Sequence, residues 1–263
     1  MNILDNIIAH KKMEVAQAKS LVGVSELQQS GLYHRIPFSL KEFLVDKSLT
    51  GIIAEFKRQS PSKGIINGSA DVVEVTKGYT MHGASCLSVL TDNYFFGGST
   101  DDLIKARVND IPILRKDFMI DEYQVEEARS MGADVILLIA ACLTPQRVKE
   151  LAVYAKQLQL EVLLEIHTEN ELAHICDETE IIGVNNRDLK TFVVDINRSI
   201  KLSKKIPPGK LKISESGIND VQTICTFRRE GFKGFLIGEN FMRQPDPTIA
   251  FADFVNQLNA KAE

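Results

Sequence analysis

Short apolar segments recur along this chain, and amphipathic segments separate them. Several of the apolar runs, such as VILLIAA, VLLEI and FLIG, show no alternation of apolar and polar residues. Continuous runs of this length are typical of strands that are buried on both faces of a parallel sheet. The strand candidates begin near Ile52, Ser85, Ile111, Asp134, Glu161, Ile181, Leu211 and Gly234.

The segments between the strand candidates carry the signals of helices. Examples are ADVVEVTKGYTMHG, DEYQVEEARSMG, TPQRVKELAVYAKQLQ and TENELAHICDE. Thr144 suits an N-cap because a proline follows it, and Thr168 precedes Glu171 by the three residues of a capping box. Eight strand–helix units, spaced roughly 20–35 residues apart, predict an α/β protein with a (β/α)8 TIM barrel.

An open doubly wound sheet is the alternative fold. No GxGxxG motif follows the first strand, so the main signal of the dinucleotide-binding version is missing. Residues 1–50 do not fit the repeat and are predicted to form one long helix and a short second one, FSLKEFL. We find no linker that divides the chain. The prediction is therefore a single barrel domain over residues 1–263, with residues 1–50 as an N-terminal helical extension.

Composition limits the partners and the location. The 263 residues carry a net charge of −4, which argues against nucleic acid as a partner but leaves small anions possible. The longest apolar run, Val135 to Leu143, is too short to cross a membrane, and the N-terminus lacks the apolar core of a signal peptide. The four cysteines show no ligand spacing, which favours buried free thiols in the cytoplasm: Cys86, Cys142, Cys176 and Cys225.

Polar or ionisable residues follow the apolar run at six of the eight predicted strand ends. The active site of a (β/α)8 barrel lies at the carboxyl ends of its strands, and buried charges are costly unless they are paired or functional. The repetition therefore predicts one site at that end of the barrel. Its members are Glu55, Lys57, Lys116, Glu165, Asn185, Arg187, Glu215 and Ser216.

Structural explanations compete with this hypothesis at each position. Glu55 and Lys57 share one strand face and could form an ion pair that only plugs the barrel. Lys116 could belong to a solvated loop. A carboxylate inside the apolar run VLLEI is harder to explain by structure alone, which favours a catalytic role for Glu165.

Two further groups are assigned no catalytic role from their position. His167 shares the strand face of Glu165 but is expected to lie in the loop beyond the strand end. Arg187 and Asp188 could form a local salt bridge of little functional weight.

The last two strands end in glycines that suit an anion. SESGI and LIGENFM place Gly217 and Gly238 where (β/α)8 barrels often bind phosphate, and Ser216 can add a hydroxyl. Ordinary turn glycines are the alternative explanation. From the residues alone we predict an enzyme that performs acid–base chemistry on a small phosphorylated molecule. No metal or nucleotide motif is visible, so no cofactor is expected.

At this point the motifs identify a family. IAEFKRQSPSKG, SVLTDNYFFGGS, PILRKDFMIDEYQVEEARSMGAD, LLEIH, GVNNRDL, SESGI and LIGENFM resemble indole-3-glycerol-phosphate synthase of tryptophan biosynthesis. The resemblance covers nearly the whole chain, including the N-terminal helix. It implies conversion of 1-(2-carboxyphenylamino)-1-deoxyribulose 5-phosphate into indole-3-glycerol phosphate, with ring closure and loss of CO₂ and water.

The resemblance also implies roles for the catalytic residues. Lys116 is expected to protonate the ketone oxygen as the ring closes, and Glu165 to be its acid–base partner. Lys57 is expected to meet the substrate carboxylate and take part in dehydration, while Glu55 orients groups. Asn185 and Glu215 are expected to hold the anilino and hydroxyl parts. We also expect neighbouring cations to lower the pKa of Lys116 toward neutrality.

Further positions match the binding site of the family. Ser60, Ser216, Gly217 and Gly238 match the phosphate site, and Phe118 matches an aromatic wall for the anthranilate ring. Glu239 lies in the phosphate loop, where small hydroxyl residues are frequent in the family. A carboxylate suits this position only if its side chain turns outward and its N–H alone contacts the ligand.

Two other functions stay open at the sequence level. A phosphoribosylanthranilate isomerase would carry a Cys or Asp at the first strand end, where this chain has Glu55 and Lys57. A catalytically inactive barrel would have lost the groups at its strand ends. Association with other tryptophan-pathway enzymes is possible, whereas neither nucleic acid nor membrane is an expected partner.

Overall fold

The computed structural model describes residues 3–188 and 193–261 and contains a closed barrel of eight parallel strands. Each strand pairs with the next one along the chain, and the last pairs with the first. The strands are β1 Ile52–Phe56, β2 Cys86–Leu90, β3 Ile113–Lys116, β4 Val135–Ile139, β5 Glu161–Ile166, β6 Ile181–Asn185, β7 Leu211–Glu215 and β8 Gly234–Ile237. The predicted (β/α)8 fold is confirmed, because every strand begins within two residues of its expected start.

Twelve α-helices lie within the described residues. They are α1 Ile3–Leu21, α2 Val24–Leu27, α3 Leu40–Val45, α4 Val72–Met81, α5 Asn93–Phe96, α6 Thr100–Ala106, α7 Glu122–Ser130, α8 Pro145–Gln157, α9 Ile196–Ser203, α10 Val221–Arg229, α11 Glu239–Met242 and α12 Pro247–Asn259. Thr144 caps α8 as predicted, since its hydroxyl accepts the backbone N–H of Arg147 at 3.2 Å.

The structure differs from the prediction in two local segments. The segment TENELAHICDE forms only a short 3-10 helix, Glu169–His174, instead of an α-helix. Its Glu171 side chain accepts the backbone N–H groups of Thr168 and of the preceding residue, so the chain is held in a tight turn directly after β5. In the long loop after β1, residues 59–60 and 64–65 form an unpredicted antiparallel hairpin.

The N-terminal extension reaches both ends of the barrel. Leu40 and Leu44 of α3 are buried in the cluster that fills the barrel interior, beside Ile53 and Leu236. Helix α1 instead lies across the carboxyl ends of the strands, where Ile7 is buried. The expected long and short helices match α1 and α3, whereas α2 was not predicted.

Burial of the strands explains their sequences. All five residues of β1, β2, β4 and β6 are buried, with one set facing the interior and the other facing the helices. Phe56 faces the helices, as expected for a residue between Glu55 and Lys57. No helix within residues 3–188 or 193–261 has the length and hydrophobicity to cross a membrane. All four cysteines are free thiols, but only Cys86 is fully buried.

Candidate active site

The carboxyl ends of the strands surround one cavity of about 380 Å³. Helix α1 forms part of its wall through Ile3, Leu4 and Ile7. All twelve residues that the sequence analysis assigned to the site line this cavity: Glu55, Lys57, Ser60, Lys116, Phe118, Glu165, Asn185, Arg187, Glu215, Ser216, Gly217 and Gly238. The structure therefore brings the predicted set together, while the role of each residue stays a prediction.

Glu55 and Lys57 form the ion pair that strand alternation predicts. Lys57 Nζ donates to Glu55 Oε1 at 2.6 Å, and the glutamate is buried at the end of β1. Burial would raise the pKa of Glu55, but Lys57 and Lys116 outweigh it and lower that pKa. Glu55 is accordingly ionised, and both residues line the cavity, while a catalytic role for the pair stays a prediction.

Lys116 is the central cation of the site. Its Nζ donates to Glu215 Oε2 at 3.1 Å and lies 3.5 Å from Glu165 Oε2. Asn185 adds a donor, since its Nδ2 lies 3.2 Å from Glu165 Oε1. These side chains converge because β5, β6 and β7 are neighbours, with Asn185 paired in register with Glu215.

The expected lowering of the Lys116 pKa is wrong. Burial does act to lower it, but the carboxylates of Glu215, Glu165 and Glu55 outweigh burial and raise the pKa above its ordinary value. The prediction invoked neighbouring cations, whereas the groups that face Lys116 are three glutamates. Lys116 is therefore an ammonium throughout the neutral range.

Glu165 and Glu215 share Lys116 but differ in charge. Burial acts to raise both pKa values; at Glu165, Lys116 and His167 overcome it and lower the pKa. Burial and the nearby Glu165 carboxylate raise the pKa of Glu215 to about 8. The two carboxyl groups therefore titrate as a pair, in which a proton is held on Glu215 in preference to Glu165.

His167 supports the site from outside the cavity lining, through its contact with Glu165, although the sequence analysis left it without a role in a loop. It does follow the end of β5, as expected, but it is only 5% exposed and its Nε2 lies 3.1 Å from Glu165 Oε1. Its Nδ1 lies 3.5 Å from Glu171 Oε2. Burial opposes its charge, but Glu165 and Glu171 raise its pKa to about 10, so it is an imidazolium.

The predicted phosphate end has unusual backbone geometry. Ser216 and Gly217 follow β7 with φ values of 66° and 70°, both in the left-handed region. A side chain at Gly217 would also collide with Val194, because an added Cβ would lie 2.3 Å from Val194 Cγ1. Asn186 fixes the turn by donating from Nδ2 to the Ser216 carbonyl at 2.7 Å and to the Ser214 hydroxyl at 3.0 Å. Backbone N–H groups in turns can bind an anion, so the turn stays a candidate for the phosphate.

Charged residues from three loops meet at the rim of this end. Glu239 Oε2 lies 3.8 Å from Arg187 Nη2, and its Oε1 lies 3.9 Å from Lys63 Nζ. The anticipated pairing of Arg187 with Asp188 is replaced by these contacts, since Asp188 lies 3.2 Å from Arg198. Glu239 therefore lies at the cavity rim between two cations.

The opposite end of the cavity is aromatic. The rings of Phe118 and Phe96 lie 5.9 Å apart at an angle of 40°, and both line the cavity. Phe96 was not among the predicted residues because the segment around FFGG is too short to show a periodic pattern. Among residues 3–188 and 193–261, no group of three or more His, Cys, Asp or Glu side chains is arranged to hold a metal ion.

Comparison with known proteins places this architecture in a family. The model of the family described as "Indole-3-glycerol phosphate synthase" matches residues 4–254. The chain belongs to the indole-3-glycerol phosphate synthase family. A relative of that name from Bacteroides thetaiotaomicron is 45% identical over 260 residues, covering 98% of this chain and 99% of the relative. Another, from Polaromonas sp., is 43% identical over 256 residues, covering 95% and 97%.

Solved structures with low sequence identity share the fold. The 3-hexulose-6-phosphate synthase of Salmonella typhimurium superposes with a TM-score of 0.62 at 11% identity, covering 80% of this chain and 98% of that chain. The KGPDC structure from Streptococcus mutans gives a TM-score of 0.60 at 14% identity, covering 81% and 98%. The sequence analysis left open an isomerase as the alternative to a synthase. The family match decides in favour of the indole-3-glycerol phosphate synthase family.

Proposed function

We propose that this cavity converts 1-(2-carboxyphenylamino)-1-deoxyribulose 5-phosphate into indole-3-glycerol phosphate, the reaction of the family to which the chain belongs. One observation carries the assignment of roles: Lys57 and Lys116 enter the same cavity, and each is already paired with a carboxylate. Two positioned ammonium groups beside an ionised base provide general acid–base catalysis without further groups.

The charge of the cavity fits this substrate. The cavity is lined by the basic residues Lys57, Lys116, Arg187 and Arg243 and by the acidic residues Glu55, Asp117, Glu165, Glu215 and Glu239. Cations are thus gathered in one cavity of a chain whose net charge is −4, where they can meet the anionic groups of a substrate. A substrate with a carboxylate and a phosphate is attracted to such a cavity.

Binding would use both ends of the cavity. The phosphate lies at the backbone N–H groups near Ser216, Gly217 and Gly238, with the Ser60 hydroxyl across from them. The anthranilate ring packs on Phe118, and its carboxylate meets Lys57. This orientation places the ketone near Lys116, which lies between the two ends.

The ring-closure step assigns one proton transfer to Lys116. The aromatic carbon that bears the carboxylate attacks the ketone carbon, and the ketone oxygen takes a proton from the ammonium. Because the Lys116 pKa is raised, the proton is fully present before reaction and moves only when negative charge develops on that oxygen. CO₂ then leaves, and its bonding electrons stay in the ring system.

Dehydration needs a base and a second acid. Glu165, whose pKa is lowered, accepts a proton from the new ring, while the hydroxyl leaves as water after protonation. Lys57 is the assigned acid, and Glu215 also holds a proton at neutral pH because its pKa is about 8. Asn185 orients Glu165 through its 3.2 Å contact.

The activity is tested with purified protein and the carboxyphenylamino deoxyribulose phosphate. We expect formation of indole-3-glycerol phosphate, followed by its indole fluorescence, with and without a chelator. Absence of product at micromolar enzyme would contradict the proposed function.

The roles of the two central residues are tested by substitution. Lys116→Met and Glu165→Gln should each lower kcat by about 10²-fold or more, the scale of a general acid–base group. Lys149→Met on the exposed face of α8 is the matched control and should leave kcat unchanged. A near-normal kcat for either variant would remove that residue from its assigned role.

The proposed setting of the enzyme is the cytoplasm, in line with its four free thiols. Its proposed partner is the small phosphorylated substrate, with neither nucleic acid nor membrane involved. Association with other tryptophan-pathway enzymes stays a prediction.

A further inference from the structure

Lys11 is a fully buried cation that the proposed reaction does not use. It lies in the middle of α1, and its Nζ is 2.8 Å from Asp117 Oδ1, 2.9 Å from Asp92 Oδ2 and 2.9 Å from Glu14 Oε1. Its side chain has 0% exposure, as do those of Asp92 and Asp117. Burial acts to lower the pKa of Lys11, but Asp117 and Asp92 outweigh it and raise that pKa, so the charge is kept.

The first partner of Lys11 holds the loop that follows β3. Asp117 Oδ1 also accepts the backbone N–H of Phe118 at 2.8 Å, and its Oδ2 accepts the Thr91 hydroxyl at 2.6 Å. Asp117 lies between Lys116 and Phe118 in the chain, so the direction of both side chains depends on where this carboxylate is held. The backbone of Thr91 adds a link, since its N–H donates to the Lys116 carbonyl at 3.2 Å.

The second partner of Lys11 holds the loop that follows β2. Asp92 Oδ1 accepts the backbone N–H of Phe95 at 2.8 Å and so caps α5, which ends at Phe96. Phe96 packs against Phe118 in the wall of the cavity. Helix α1 reinforces this contact through His10, whose ring stacks on Tyr94 with centroids 4.6 Å apart.

We propose that Lys11 is a positioning residue: one buried ammonium ties the loops after β2 and β3 together, and thereby sets the aromatic wall and Lys116 for reaction. This role rests on the proposed function, because its main readout is turnover. Without the ammonium, the carboxylates of Asp92 and Asp117 would face each other in a site closed to water, and only Asp117 would keep a cation, Arg115 at 3.1 Å. Their repulsion would separate the two loops.

The test compares Lys11→Met with Lys12→Met. Methionine keeps the length of the stem and removes the charge, and Lys12 is the exposed neighbour on the same helix. Below its unfolding temperature, Lys11→Met should lose on the order of 10²-fold in kcat, since misplacement by about 1 Å has that effect. KM should rise less than kcat falls, and Lys12→Met should match the unaltered enzyme.

A second readout does not depend on turnover. Amide hydrogen exchange of Phe95 and Phe118 should accelerate in Lys11→Met, because both N–H groups donate to the carboxylates that Lys11 holds. The amide of Ile213 in β7, far along the barrel, should exchange as before. A purely stabilising role would lower the unfolding temperature but leave kcat, KM and these two amides unchanged in the folded protein, and that result would overturn the proposal.

A milder variant tests the same proposal if Lys11→Met does not fold. Asp92→Asn keeps a side chain that caps α5 but loses the ion pair with Lys11. It should lower kcat/KM by about 10-fold, and an unchanged kcat/KM would overturn the proposal. If the unaltered enzyme forms no product, the proposed function fails; if it turns over and the variants do too, only the role of Lys11 fails.

Discussion

Two glycines make room for carboxylates of the site, because a side chain at either position would collide with Glu55 or Glu215. A Cβ added to Gly238 would lie 2.6 Å from Glu55 Oε1 and 2.8 Å from Glu55 Cβ. A Cβ added to Gly183 would lie 2.0 Å from Glu215 Oε1. Neither glycine has a positive φ, so the missing side chain is the relevant property at both positions. Gly238 therefore serves Glu55 as well as the proposed phosphate site.

Replacement of Gly238 tests this double role. Gly238→Ala should lower kcat by about 10-fold as well as raise KM, because the displaced Glu55 can no longer hold Lys57. Steady-state kinetics measure both parameters. Gly31→Ala, where an added Cβ meets nothing within 4 Å, is the control. A raised KM with normal kcat would restrict Gly238 to the phosphate, which is the role that the sequence alone suggested.

Single residues also mark where prediction from sequence stops. Strand alternation correctly places Glu55 and Lys57 together, because the period of two is local. It cannot show that the chain folds back after β5 and returns Glu171 to His167, whose other ring nitrogen faces Glu165. The prediction that the Lys116 pKa is lowered was wrong for the same reason. The direction of that shift depends on which groups from other strands face the ammonium.

At the scale of elements, the loops after β1, β6 and β8 meet at Glu239. Its carboxylate lies between Lys63 and Arg187 at distances that allow only weak pairing, and all three side chains are partly exposed. A substrate phosphate would compete with this carboxylate for the same cations. Glu239 is thus expected to weaken substrate binding slightly, and to hold the three loops together when no substrate is bound.

Removal of the Glu239 charge tests this competition. Glu239→Gln should lower KM about threefold without a change in kcat, since two cations become available to the phosphate. The control is Glu230→Gln, which removes a carboxylate from an ion pair with Lys204 at the end of α10. A higher KM in Glu239→Gln would mean that the carboxylate holds the loops in place for the substrate.

The elements themselves were predictable to different degrees. The eight strands were found because strands buried on both faces must be continuously apolar, as β4 shows. The hairpin of residues 59–60 and 64–65 has no buried face, so it leaves no pattern in the sequence. Residues 169–174 have the composition of a helix but form a 3-10 turn, because Glu171 is drawn toward the backbone of His167.

At the scale of the whole molecule, the extension couples the two ends of the barrel. Helix α3 fills the amino-terminal end with Leu40 and Leu44, while α1 covers the carboxyl-terminal end and brings Lys11 to the loops there. The sequence predicted helices in this segment but not where they pack. Amphipathic periodicity shows which face of a helix is buried, but it does not show which element covers that face. Charge is likewise uneven, because Lys57, Lys116, Arg187 and Arg243 all line one cavity of a chain whose net charge is −4.

The buried imidazolium makes stability depend on pH. The pKa of His167 is about 10 in the folded protein, above the ordinary value of about 6.5 in an unfolded chain. A pKa that is raised on folding contributes stability that is fully present below pH 6.5 and is lost as pH rises toward 10. The charge stabilises the fold because Glu165 and Glu171 flank the ring, while Lys116 lies beyond Glu165.

His167→Gln should therefore cost stability only where the histidine is charged. At pH 6 the unaltered protein should exceed the variant by about 1–3 kcal/mol in free energy of unfolding, the cost of leaving a buried charged partner unsatisfied. By pH 10 the difference should approach zero. Urea unfolding at pH 6, 8 and 10 measures it, with His82→Gln at an exposed position as the control. A difference that stays constant across this range would show that His167 is neutral in the folded protein, and Glu165 would then depend on Lys116 and Asn185 alone for its charge.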